Sequence, residues 1–245
     1  METFLSGFSQ YWEALWLLKR PNILRYLAIS TTITLVIAFV LLGGAAFFIY
    51  DMVRDIYEIA KGQEKKFLSI IWEILPVVAY ILVIWASFKS IVILANGFVF
   101  TQLSAEVEAE LTRKPVSGSG KSLHFELIRA VKIAIWSIFK EMLYTLPLFL
   151  LGFIPVVGIV FVGLAFAIQA YFVGAGYWDF ILERKGHDVK ESIVLVNKHR
   201  YLVTGNGFGF VLLMFVPVVG LILAPPLAVI SATSAYLEAE GKSKG

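Results

Sequence analysis

The chain contains no cysteine, which excludes disulfide bonds, thiolate metal sites and cysteine nucleophiles. Charge is also scarce: 21 basic and 18 acidic side chains make up only 16% of the 245 residues and leave a net charge of +3. We therefore expect no basic surface for nucleic acid. Apolar side chains are abundant, at 59% of the residues, with a mean hydropathy of +0.81. A soluble domain of this length needs a more polar surface, so the composition predicts an integral membrane protein.

Histidines and glycines give no indication of an enzyme. The three histidines, His124, His187 and His199, are scattered through predicted surface segments without the spacing of metal ligands. The glycines of residues 205–209 (GNGFG) resemble a phosphate-binding loop, but no strand precedes them and no lysine stands in the required place. We interpret them as flexibility at the entrance of a membrane hairpin. We expect no enzymatic activity, no cofactor and no metal site.

Residues 1–20 have the pattern of an amphipathic helix. Apolar side chains recur there every three or four positions, at Phe4, Phe8, Trp12, Leu15 and Trp16. Such a helix is suited to lie in the membrane interface with its aromatic face toward the lipid. The alternative is that this helix packs on the rest of the protein.

Two long transmembrane helices are predicted in the first half of the chain. Residues 26–50 carry no charge and exceed the roughly 20 residues that a spanning helix needs. A second helix, straight or kinked, is predicted over 67–112 as a span with a cytoplasmic extension. Glu73 and Lys89 lie in its apolar part about 24 Å apart, so they are either functional groups or reach opposite interfaces. Three glutamates of the extension are predicted to be solvated or to contact another subunit: Glu106, Glu108 and Glu110.

Two later segments, 142–182 and 201–237, are predicted to form helical hairpins. Each contains an uncharged run of 37 residues, too long for one span and slightly too short for two spans and a turn. Both runs contain nearly the same phrase, GFIPVVGIVF and MFVPVVGLIL. Because proline breaks a helix and glycine permits a tight reversal, we assign the tips to Pro155, Gly158, Pro217 and Gly220. Re-entrant or short hairpins are favoured, and two Pro-kinked spans or two thin complete hairpins are the alternatives.

Charged and polar residues lie around the two predicted hairpins, and the basic ones predict the orientation of the chain in the membrane. Residues 124–141 alternate charged and apolar positions at helical period and predict a surface helix. Asp179 closes the apolar run of the first hairpin and is either a functional or an interfacial residue. Gln169, inside the second limb, is either functional or finds a partner in a backbone carbonyl. With the N-terminus in the cytoplasm, 16 Lys and Arg lie on the cytoplasmic side and 4 in the outer connection 51–66. This arrangement satisfies the positive-inside tendency.

A candidate anion site precedes the first span. A helix that begins at Pro21 presents free N–H groups and the positive end of its dipole to an anion. Arg25, one turn later, adds a charge and a planar fork that fits a tetrahedral oxyanion. The alternative is that Lys19, Arg20 and Arg25 bind lipid phosphates and fix the topology.

The order of these elements, together with several local motifs, resembles the CysZ sulfate permeases and the wider etoposide-induced-protein family. ALWLLKRPNILR resembles the family's proline signature, with Ala14 in place of a glycine and Leu24 in place of the first of two arginines. LSAEVEAELT resembles a second family block, with Ala105 in place of one glutamate. Both F-x-P-x-x-G tips also fit, and so does Tyr177-x-Asp179-Phe180 followed by Lys190 and Glu191.

The resemblance implies a bacterial inner-membrane protein with two long transmembrane helices and two half-inserted hairpins, assembled as a homo-oligomer. It implies import of sulfate or a similar small oxyanion for cysteine synthesis, by a channel-like or ion-driven mechanism. It also places the anion near the backbone of Leu24 and the side chain of Arg25. The alternative from another class is a non-transporting protein of the same fold that shapes or scaffolds the bilayer.

Overall fold

The computed structural model describes residues 3–60, 91–116, 123–154, 156–216 and 219–241. Within these ranges every regular element is an α-helix, which confirms the predicted all-α class. The helices are α1 Phe4–Leu17, α2 Pro21–Ala60, α3 Gly97–Thr112, α4 Leu123–Leu151, α5 Gly158–Arg184, α6 Val189–Lys198, α7 Arg200–Met214 and α8 Val219–Ala239. Four residues singled out in the sequence, Glu73, Lys89, Pro155 and Pro217, lie outside the described residues.

Three of these helices are long and apolar enough to cross a membrane, in agreement with the predicted integral membrane protein. They cover Pro21–Asp51 in α2, Gly158–Arg184 in α5 and Ile222–Ala239 in α8. The first contains the span predicted at 26–50. The other two are the second limbs of the two predicted hairpins.

Helix α8 occupies the centre of the bundle and packs against α1, α2, α3, α5 and α7. Its sequence from Ala228 to Ala235 consists only of small and β-branched residues, and every one of these side chains is buried. Small residues let helix backbones approach closely, which is the main source of helix association within a membrane. The central position of α8 therefore follows from its small side chains.

The glycines of α7 form helix contacts, which corrects their interpretation as a flexible hairpin entrance. Helix α7 is continuous through all three of them. A Cβ atom at Gly205 would lie 2.1 Å from the Phe4 carbonyl oxygen of α1, and one at Gly207 would lie 1.7 Å from the Ala170 carbonyl oxygen of α5. The absent side chains thus let α7 touch the backbones of two neighbouring helices.

One part of the predicted aromatic face of α1 packs on the protein, and the other part is exposed. Phe4 and Phe8 pack against Phe208 of α7, with ring centroids 5.3 and 6.2 Å apart. Trp12, Leu15 and Trp16 are exposed. Each of the two alternatives for this helix therefore describes one part of it.

The glycines of the two Pro-Gly phrases, Gly158 and Gly220, make equivalent contacts. In the turn between α4 and α5, the Gly158 N–H donates to the Ile154 carbonyl at 2.8 Å. In the turn between α7 and α8, the Gly220 N–H donates to the Val216 carbonyl, also at 2.8 Å. A Cβ atom at either glycine would lie 2.0 Å or 2.2 Å from a carbonyl oxygen of the preceding limb. Glycine is needed at both tips because the chain returns this close to itself.

Helix α4 differs from the prediction at its boundaries. The surface helix expected at 124–141 and the first limb of the first hairpin form one helix, Leu123–Leu151, which includes Pro147. The sequence changes from charged to apolar near residue 141 without a Gly or Pro there to end the helix. The two predicted elements are therefore continuous in the structure.

Candidate functional site

The start of α2 is the predicted anion site, and its backbone geometry can be read directly. Pro21 is the first residue of α2. The N–H of Leu24 donates to the Arg20 carbonyl at 3.0 Å, which is the first hydrogen bond of the helix. The N–H groups of Asn22 and Ile23 precede that bond and are the ones a helix start leaves without an intrahelical acceptor. Leu24, chosen for its backbone, therefore uses its amide inside the helix.

The three basic side chains around this helix start differ in their surroundings. The Lys19 ammonium lies 4.0 Å from the centroid of the Trp16 ring. The Arg20 guanidinium forms a salt bridge with Glu110, Nε to Oε1, at 2.9 Å. Arg25 is exposed, and none of the residues that the structure describes forms an ion pair with it. Of the two arginines at this helix start, Arg25 is thus the one without an ion-pair partner among the described residues.

Two glutamates of α3 reach the same helix start. The Asn22 side chain donates to Glu106 Oε1 at 2.6 Å, and Glu110 holds Arg20. These contacts fasten the end of α3 to the beginning of α2. They also place two carboxylates beside the positive end of the α2 dipole, so the local field depends on the carboxylates as well as on the cations.

The third glutamate, Glu108, is buried, which corrects the prediction that all three glutamates are solvated or contact another subunit. Its carboxylate accepts from Arg184 at 2.5 Å and also from Lys185, and both Glu108 and Arg184 are more than nine-tenths buried. Burial raises the pKa of Glu108, but the hydrogen bonds and charges of Lys185 and Arg184 outweigh burial and hold the pKa below its ordinary value. Glu108 is therefore ionised at neutral pH.

Polar side chains of three helices extend this ion cluster. Arg184 of α5 donates to both the carbonyl and the hydroxyl of Ser104 of α3, at 3.3 Å each. The Thr233 hydroxyl of α8 donates to the Ser104 hydroxyl at 3.0 Å. Ser104 and Glu108 are four residues apart and so share a face of α3. The four-residue spacing of Ser104 and Glu108 can be read from the sequence, but it does not identify the residues of α5 and α8 that bind them.

The remaining polar residues of the first hairpin do not join these groups. Gln169 is buried in α5. Asp179 is half-buried and lines a groove between α4, α5 and α6, together with Trp136 and Ser192. No cluster of His, Cys, Asp and Glu that could hold a metal ion occurs in the part of the chain that the structure describes.

Comparison with known proteins gives two matches. A family model described as "Sulfate transporter CysZ/Etoposide-induced protein 2.4" matches residues 10–225, which include every site residue predicted above. The protein named "Sulfate transporter CysZ" from Vibrio parahaemolyticus serotype O3:K6 (strain RIMD 2210633) is 27% identical over 248 residues. That alignment covers 95% of this chain and 94% of the relative.

Proposed function

The chain belongs to the sulfate transporter CysZ/etoposide-induced protein 2.4 family, and from this membership we propose that it imports sulfate or a similar small oxyanion. The relative of similar length carries a sulfate transporter's name, and its alignment covers nearly the whole chain. The imported sulfate would supply cysteine synthesis. The protein acts as a membrane transporter or channel and not as an enzyme.

Family membership supports the proposed transport function, and the geometry at the start of α2 supports the proposed anion site. An oxyanion bound there accepts hydrogen bonds from the N–H groups of Asn22 and Ile23, and the dipole of a 40-residue helix favours its negative charge. Arg25 supplies the full positive charge and up to two parallel hydrogen bonds. The availability of Arg25, while Arg20 is held by Glu110, is the single observation that carries this site.

The proposed setting is the bacterial inner membrane with the N-terminus in the cytoplasm. The two hairpins enter the membrane and return to the same side, and the protein assembles as a homo-oligomer. Exposed apolar side chains support insertion of the first tip, since Phe153, Val156 and Ile159 are all exposed there. In water an exposed apolar patch of this kind would promote aggregation.

The test is uptake of radiolabelled sulfate into proteoliposomes by the wild type and by Arg25→Gln. Loss of the charge and of the guanidinium fork at Arg25 is expected to lower uptake at least tenfold, since hydrogen bonds to a charged group contribute about 1.5–3 kcal/mol. Arg54→Gln is the matched control, because Arg54 is an exposed arginine near the opposite end of the same helix. It should leave uptake unchanged.

The outcomes separate the function from the site. Uptake by the wild type that is unaffected by Arg25→Gln would keep the transporter and discard the site. Absence of sulfate uptake by the wild type would contradict the proposed function and favour a membrane-shaping or scaffold protein. In that case sulfate should also fail to raise the melting temperature of the purified protein.

A further inference from the structure

A helix break lies at Asn96, a fully buried residue. Residues 91–95 are helical, and the Asn96 N–H donates to the Val92 carbonyl at 3.0 Å. Asn96 then adopts φ −89° and ψ 2°, and its own carbonyl accepts the first hydrogen bond of α3, from Phe100 at 2.8 Å. The N–H groups of 97–99 precede that bond and so form a second helix start, within the protein.

Three buried polar side chains near this helix start, on α2 and at Asn96, satisfy each other only in part. The Asn96 side chain donates to Thr34 Oγ1 at 3.4 Å and to the Val92 carbonyl at 3.0 Å, but it does not cap the N–H groups of α3. Its Oδ1 has no hydrogen-bond partner among the described residues, and neither has the Ser30 hydroxyl. Asn96, Ser30 and Thr34 are all fully buried. Buried polar groups without a partner are costly unless a polar guest supplies the missing hydrogen bonds.

The position of these groups connects them with the first site. Thr34 lies eight residues after the start of the predicted span at residue 26, about 12 Å along α2, so it lies well inside a hydrocarbon core about 30 Å thick. Ile23, Ser30 and Thr34 recur at intervals of seven and four residues, which places them on one face of α2. All three are buried, so this face turns inward. It leads from the helix start of α2 to that of α3.

We propose that Ser30, Thr34, Asn96 and the first turn of α3 form a second, intramembrane station for the transported oxyanion, an inference that rests on the proposed function. A polar guest here must accept hydrogen bonds from the N–H groups of α3 and donate to Asn96 Oδ1. A partly hydrated tetrahedral oxyanion does both, because its oxygens accept and its remaining waters donate. The dipole of the 16-residue α3 favours its negative charge.

The absence of cysteine from the chain makes a direct test possible. Ser30→Cys and Asn96→Cys are treated in proteoliposomes with methanethiosulfonate ethylsulfonate, a small thiol reagent that carries a sulfonate. We expect both cysteines to react at least tenfold faster than Ala235→Cys, a control at an equally buried position of α8. Sodium sulfate should slow the reaction, whereas sodium gluconate of the same ionic strength should not.

Uptake gives a second measurement on the same station. Thr34→Val keeps the shape of the side chain and removes its hydroxyl, and Asn96→Asp keeps the shape and adds a charge that repels an anion. Both should lower sulfate uptake, Asn96→Asp at least tenfold. Both should keep the wild-type rise in melting temperature with sulfate, because the site at Arg25 is intact. A purely structural role of Asn96 would not give sulfate protection of the cysteines.

Three results would overturn the station. Cysteines that do not react would mean a dry helix contact, and cysteines that react equally with and without sulfate would mean a water-filled crevice. Either result leaves the transport function intact if Arg25→Gln still lowers uptake. If the wild type takes up no sulfate, the proposed function fails and the station fails with it.

Discussion

Helices α2 and α8 each contain an apolar segment long enough to span a membrane, yet the two helices have opposite surroundings. In the most apolar window of the α8 span 78% of the residues are buried inside the protein, against 12% in α2. Helix α8 packs among five neighbouring helices, and its small side chains, such as Ala228 and Ser231, are fully buried there. Helix α2 turns large side chains outward, with Phe39, Val40 and Phe47 all exposed.

The difference shows that hydropathy identifies a membrane segment without saying what surrounds it. Lipid tails and leucine side chains are equally apolar, so no hydrophobic gain distinguishes a lipid-facing helix from a central one. Close backbone approach and hydrogen bonds decide instead. Small and polar residues therefore mark the centre of the bundle, and large apolar residues mark its surface. The following substitutions test this comparison, from the largest expected effect to the smallest.

Glu108→Gln should cause the largest loss of stability, because it leaves Arg184 buried without its counter-charge. Removing one partner of a buried ion pair typically costs about 3–5 kcal/mol. The measurement is the thermal midpoint in detergent, followed by tryptophan fluorescence. Glu106→Gln is the control, since its partner Asn22 is neutral and their contact is exposed, and we expect it to cost less than about 1 kcal/mol.

The effect of Glu108 should depend on pH in a definite direction. Its pKa is lowered in the folded protein, so the charged form stabilises the fold at pH values above the unfolded pKa of about 4.3. As the pH falls below that value toward the lower folded pKa, this stabilisation is lost. The gap between the midpoints of wild type and Glu108→Gln should therefore narrow below about pH 4. A gap that widens on acidification would contradict the assignment.

Gly207→Ala should have the next largest effect. The new Cβ atom would lie 1.7 Å from the Ala170 carbonyl oxygen, so α7 must move away from α5. Overpacking of this kind costs about 3 kcal/mol. Gly163→Ala on α5 is the matched control, because nothing lies within 4 Å of its added Cβ atom. The control should be neutral or stabilising by up to about 1 kcal/mol, the helix propensity of alanine over glycine. Equal melting temperatures would show that α7 and α5 do not touch.

The substitutions of Glu108 and Gly207 concern two features that could not be predicted from the sequence. Turns at the two Pro-Gly phrases could be predicted because proline and glycine act on their own local backbone, and the N–H groups of Gly158 and Gly220 each donate to a carbonyl four residues earlier. Their assignment as the tips of membrane hairpins stays a prediction. The burial of Glu108 could not be predicted, since its partner Arg184 is 76 residues away. The glycines of α7 were misinterpreted for a related reason. Glycine permits both flexibility and close approach, and only the neighbouring helix decides which applies.

Val156→Gly should stabilise the protein by about 1 kcal/mol. Val156 has φ 69°, a left-handed conformation that strains a β-branched residue, and 91% of its surface is exposed, so few contacts are lost. The control is Val157→Gly at the next position, where φ is −79°. Glycine there relieves no strain and should be neutral or destabilising. A lower midpoint for Val156→Gly than for Val157→Gly would contradict the strain at this tip.

Phe39→Leu should have the smallest effect, because Phe39 of α2 is 81% exposed and packs on little of the protein. We expect a change below about 0.5 kcal/mol, the range of surface substitutions. Phe100→Leu in the core is the reference, since Phe100 makes edge contacts with Tyr177 and Phe180 at ring distances of 5.9 and 5.3 Å. Loss of such pairs costs about 0.5–1.5 kcal/mol each. An equal cost at Phe39 would contradict lipid contact there, because only a second protein surface packs an aromatic ring that closely. It would then place the contact of the proposed homo-oligomer on the outer face of α2.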